Sequence, residues 1–137
     1  MKYFTLPELT FSREAQRLGL DNTPTPAQLR NLVLLTDKVL DPARELWGQP
    51  IVVTSGFRSS HLNELVGGVP NSQHLAGLAA DIVTLGADRM RNYMLFMKIA
   101  RSEIPFDQLI AEKHKDGHCA WVHISYSNNP RHQVIYR

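Results

Sequence analysis

Hydrophobic spacing changes character along this chain, and that change restricts the fold more than any other feature. In the first third, Leu29, Leu32, Val33, Thr36, Val39 and Leu40 recur at helical intervals. In the last third the apolar positions alternate, as in "AWVHISYS" and "HQVIYR". Strand-like runs, "PIVVTSGFRS" and "AADIVTL", also lie between the helical segments. The pattern is α+β: a small, largely antiparallel sheet with helices packed on one face.

Local signals set the element boundaries. Thr5 caps "LPEL" and Ser12 caps "REAQRL" before Gly19 stops it. Thr25-Pro26 starts a long amphipathic helix that runs to about Leu40, where Pro42 is expected to interrupt it before "ARELWG". Trp47 reads as a core anchor. "SSHLNELVGG" is a short capped helix ended by glycines. A later helix carries Met90, Tyr93, Met94 and Met97 on one stripe, which reads as core rather than as a cofactor box. Turns at Asp116-Gly117 and "NNP" predict an antiparallel meander of the last three strands.

With 137 residues the chain suffices for one domain, 1–137, with one core. Apolar residues at 43% and charged residues at 20% argue against wholesale disorder. The net charge of +2 is scattered rather than patched, so a nucleic-acid partner is not expected. The single cysteine, Cys119, excludes an internal disulfide framework and a cysteine-rich zinc module. No apolar run approaches the length of a membrane span, and "MKYFTLPELTF" contains no signal-peptide core. A protein made in the cytoplasm and a monomer are the resulting expectations.

The chemistry-bearing stretch is "NSQHLAGLAADI", in which His74 precedes Asp81 by seven residues. That spacing is weak in a chain with six histidines. Position strengthens it, because Asp81 falls early in a strand expected to be buried, where an ionised carboxylate needs a partner, a divalent cation being one. In "AWVHISYS" the alternation sends Val122, Ile124 and Tyr126 toward the core and Trp121, His123 and Ser125 to the opposite face. Two histidines and one carboxylate with a fourth position for water would make a catalytic zinc site, whereas a polar helix-end histidine is the plainer reading of His74 alone. His114 and His118 have a helical zinc spacing, but Asp116-Gly117 between them makes them loop histidines. His61 and His132 read as surface or rim residues. Cys119 as a thiol nucleophile lacks a neighbour that would favour the thiolate.

"SGFRSSHLNELVGGVPNSQHLAGLAADI", followed by "FDQLIAE" and "WVHISY", resembles the zinc D-Ala-D-Ala carboxypeptidase group of metallopeptidases, in its compact branch found in bacteriophages and prophages. Every fixed position of that family's first motif is filled by Ser72, His74, Gly77, Ala79 and Asp81. The resemblance runs from "YFTLPELT" almost to the C-terminus. It implies the fold shared with the hedgehog signalling domain, with His74, Asp81 and His123 as Zn2+ ligands. It also implies Arg58 as a cation facing the substrate, where a planar guanidinium grips carboxylates or carbonyls with paired hydrogen bonds; a clamp on the Ser-Gly turn is its structural alternative. Ser72 and Gln73 would line the site or order the His74 turn.

The match departs from the family at the general base. Several branches place Glu three residues before the last histidine ligand, and Ala120 stands there. Glu112, on the strand expected to pair with "AWVHIS", is the leading substitute, followed by His118 and Asp107. The implied activity is hydrolysis of peptidoglycan stem or crosslink peptides next to D-Ala or a similar residue, by an endolysin or wall hydrolase reaching the cell wall after phage-type release or delivery. A non-catalytic, zinc-stabilised binding module of the same fold is the alternative.

Overall fold

The structure, a computed structural model, describes residues 1–137. Helices α1 (Leu6–Thr10), α2 (Arg13–Leu18), α3 (Pro26–Leu35) and α4 (Asp41–Trp47) precede strand β1 (Ile51–Ser55). Then come α5 (Ser60–Leu65), a 3₁₀ turn at Gln73–Ala76, β2 (Ala79–Thr84), α6 (Arg89–Ala100), β3 (Gln108–Glu112), β4 (Trp121–Ser125) and β5 (Gln133–Tyr136). The strands form one sheet in the order β1-β2-β4-β3-β5. The fold is therefore α+β, as the change of period implies. No helix is long and apolar enough to cross a membrane.

Strand parity divides the sheet into a core face and a site face. Ala80, Ile82, Leu109, Ala111, Val122 and Ile124 join Leu32, Leu35, Leu40, Leu95, Phe96 and Ile99 in one buried cluster. The intervening residues, Asp81, Ile110, Glu112, Trp121 and His123, line a cleft on the other face. Burying a large aliphatic or aromatic side chain contributes about 1.5–3 kcal/mol, so this cluster is the main source of stability and fixes the register.

Three expectations fail for identifiable reasons. Pro42 does not interrupt the helix. Residues Thr36–Leu40 widen into a π-helical turn, Asp41 N–H donates to Thr36 O, and Pro42 enters the first turn of α4. The widening spares the proline ring its clash with the carbonyl four residues back. The meander is also wrong. β3 and β4 are antiparallel, but β5 crosses to the far edge of β3 and runs parallel to it, so the sheet is mixed.

The methionine stripe is not core either: Met90 and Met94 are 66% and 55% exposed. The buried face of α6 carries Asn92, Leu95, Phe96 and Ile99, with Tyr93 and Met97 at its margin. Asn92 is fully buried because it is fully bonded. Its Oδ1 accepts from Thr84 N and Thr84 Oγ1, and its Nδ2 donates to the carbonyls of Cys119 and Ala120. A side chain satisfied in this way contributes specificity at little desolvation cost. Trp47 packs, partly buried, against the core.

Candidate metal centre

Three separate segments converge on the site face. Asp81 and His123 are direct cross-strand partners in the antiparallel β2–β4 pair, so their side chains project from the same face of the sheet. His74 arrives from the 3₁₀ turn, whose entry is capped by Ser72 Oγ accepting from His74 N at 3.2 Å. Gly77 closes that turn at φ +77°, and a Cβ there would sit 2.7 Å from Gln28 O, so both conformation and space require glycine. The turn and the "SGFR" loop hold each other. Arg58 N donates to His74 O at 3.1 Å, and His74 Nδ1 lies 2.7 Å from Gly56 O. A side chain at Gly56 would collide with the Leu9 carbonyl.

One potential ligand atom from each of His74, Asp81 and His123 lies within 4.8 Å of the other two. Whether the trio suits a metal is decided by His74. A carbonyl oxygen only accepts, so Nδ1 carries the hydrogen and Nε2 of the neutral ring presents a lone pair. That Nε2 is buried without a hydrogen-bond partner and faces Asp81 Oδ1 at 3.4 Å. His123 Nδ1 lies 3.0 Å from the same oxygen. Two ring nitrogens that converge on one carboxylate oxygen could hold a cation between them, and two imidazoles with one carboxylate are the donor set of an open divalent site. The orphaned nitrogen fits a metal.

Burial opposes the charged form of Asp81 most strongly, but wherever the rings of His123 and His74 carry a proton toward it they outweigh burial and hold the carboxyl well below the usual range, the part a cation between them would otherwise play. Arg58 adds to this. Its Nη2 meets Asp81 Oδ2 at 3.3 Å, while Nε binds Ser55 Oγ and Nη1 binds Asn63 Oδ1, both at 3.1 Å. Arg58 is thus a clamp on the carboxylate itself, and two of its five N–H groups remain for the cleft it lines. Neither Ser55 nor Asn63 announces this role in sequence, because bonds from one side chain to another carry no periodic signature.

The cleft above the trio has a volume of about 640 Å3. Its only acidic side chains are Asp81 and Glu112, which distinguishes the base candidates. Glu112 reaches it from β3 beside Trp121, its cross-strand partner. Asp107 is 2% exposed, accepts from Arg131 N, Nε and Nη2 and from Gln73 Nε2, and is held down to about 2, by Arg131 first and Gln73 in support, against its burial. Such a carboxylate is a structural hub. His118 does not line the cleft; its Nδ1 accepts from Arg89 Nε at 3.0 Å. Ser72 and Gln73 both line the cleft while ordering its walls, Ser72 through the His74 turn and Gln73 through Asp107. Burial pushes the Cys119 thiol up to about 11, which removes it as a nucleophile near neutral pH. His114 and His118 lie around a tight turn outside the trio.

No curated protein matches the chain. A family model described as Peptidase M15 does match, over residues 2–125, a span that contains His74, Asp81, His123 and Glu112. Nearly the whole chain is covered, and the match includes the His74, Asp81 and His123 cluster that could hold a metal. The chain belongs to the peptidase M15 family, a family of metallopeptidases.

Proposed function

We propose that the chain is a zinc-dependent peptidase that hydrolyses peptidoglycan stem or crosslink peptides next to D-Ala or a similar residue, as an endolysin or wall hydrolase acting after phage-type release or delivery. The observation that carries the reading is the partnerless Nε2 of His74, turned toward Asp81 and His123 in an open cleft. His74, Asp81 and His123 would hold the ion and leave one position for solvent. When bound, zinc supplies Lewis acidity toward a peptide carbonyl and lowers the pKa of a coordinated water to about 7.

The remaining work falls to this chain's own groups. The Gly56 carbonyl keeps the hydrogen of His74 on Nδ1, so Nε2 remains an acceptor. Arg58 fixes the orientation of Asp81, and its two unengaged N–H groups can steady a substrate carbonyl; one such donor is typically worth about 10²–10³ in rate. Glu112 accepts a proton from the attacking water and delivers it to the leaving amine nitrogen, a role worth about 10²–10⁴. Ser72 and Gln73 hold the cleft wall in place for the peptide.

Ala120, standing where other branches carry the base, favours a second reading, a zinc-stabilised binding module without catalysis. Zymography on bacterial cell walls separates the two. The peptidase reading expects zinc-dependent clearing that disappears in His123→Ala and in Glu112→Gln, with Glu112→Gln still binding zinc. A folded, zinc-loaded protein that clears no wall chemotype would establish the binding module.

A further inference from the structure

We infer that Arg137 reads an anionic group of the peptide, so that the cleft selects substrates bearing a free carboxylate on the side facing β5. This rests on the peptidase reading for its substrate. Three arginines line the cleft against two side-chain carboxylates, before any dication is added. Two of the three already have a carboxylate partner at hydrogen-bond distance. Arg58 is bound to Asp81, Ser55 and Asn63, and Arg131 is held by both oxygens of Asp107. Arg137 is different: its one ionic contact is Nη1 to Glu112 Oε2 at 3.7 Å, too long for a hydrogen bond, and its side chain is 63% exposed.

The backbone beneath that guanidinium is nevertheless fixed. Arg137 N donates to Ala111 O at 3.0 Å, and Arg137 O accepts from His114 N at 2.9 Å. A charged fork on an anchored stem at the edge of a cleft matches a carboxylate, which it can grip with two parallel bonds. A substrate carboxylate would take the place of Glu112 as partner of Arg137 and leave Glu112 free to accept its proton. Arg137 lies outside the residues matched by the family model, so the family match assigns it no role.

The test uses zinc-loaded protein, wild type, Arg137→Gln and Arg131→Gln. It uses one acetylated stem peptide in two forms, with all of its carboxyl groups as free acids or as carboxamides. Calorimetry reads binding, and mass spectrometry of the same mixtures reads cleavage. The free acid is expected to bind wild type about tenfold more tightly than the carboxamide, a charge-assisted pair's worth. The two forms should bind Arg137→Gln within about twofold of each other, while Arg131→Gln keeps the preference. Equal affinity of both forms for wild type, no measurable binding of either, or a preference that survives in Arg137→Gln would overturn the assignment. A preference lost in Arg137→Gln without cleavage of either peptide would support Arg137 and count against the peptidase reading alone.

Discussion

Replacing Asp81 by Asn changes one oxygen to nitrogen yet should reorganise the energetics of the whole site. The Asp81 side chain is 11% exposed and sits between Arg58 Nη2 at 3.3 Å, His74 Nε2 at 3.4 Å and His123 Nδ1 at 3.0 Å. With the metal chelated away, the substitution leaves the Arg58 guanidinium, 16% exposed, without its counter-charge. Breaking a buried pair costs about 3–5 kcal/mol; Arg58 keeps Ser55 and Asn63 and some solvent, so about 2–3 kcal/mol is expected. For a chain of this length that lowers Tm by about 7–10 °C.

Zinc should widen the difference. At one hundred times its dissociation constant the ion adds about 2.7 kcal/mol to wild type, or about 9 °C. A variant with one hundredfold weaker affinity gains about 0.4 kcal/mol under the same conditions. Acid should narrow it. The folded Asp81 pKa is depressed, so its stabilisation is complete above the ordinary carboxylate value and fades as pH falls below about 4. Calorimetric melts of chelated and zinc-loaded protein at pH 7 and pH 3 read all three effects. An Asp81→Asn protein that melts with wild type in chelator, or gains as much as wild type from zinc, refutes the reasoning.

Two further substitutions probe what surrounds the site. Asp107→Asn should reduce stability at neutral pH: the drop of the carboxyl from 3.8 to about 2 corresponds to at most ~2 kcal/mol, and solvent around the exposed Arg131 reduces this to about 1. The loss should close between about pH 4 and pH 2 in urea titrations, because the depressed carboxyl stabilises only while ionised. Asn92→Leu strands Thr84 N, Thr84 Oγ1 and the carbonyls of Cys119 and Ala120 inside the core, and should cost about 3 kcal/mol or more by the same titration at pH 7.

What the sequence revealed followed physical periodicity, and what it hid depended on long-range partners. Alternation in "AWVHISYS" put His123 opposite the core because the sheet buries one face, and the same alternation puts Asp81 between Ala80 and Ile82. The stripe of α6 misled because Asn92, a polar residue, occupies the buried face; its bonding partners are Thr84, across the β2–α6 turn, and Cys119 and Ala120, far along the chain. The turn at "NNP" correctly marked a reversal, but turn chemistry does not say which edge the next strand joins. That choice is accompanied by Arg131 binding Asp107 and by Gln133 N donating to Asp107 O, which set β5 against β3. The clamp on Asp81 was equally silent, since Asn63 meets Arg58 only after α5 has folded.

The account stands on a divalent ion held among His74, Asp81 and His123, and an anomalous-diffraction map of the zinc-soaked protein at the zinc absorption edge tests it most directly. The expected result is one peak about 2.0–2.2 Å from a ring nitrogen of each histidine and an oxygen of Asp81, with no fourth protein ligand. A peak between His114 and His118, or no peak within reach of all three side chains, would contradict it.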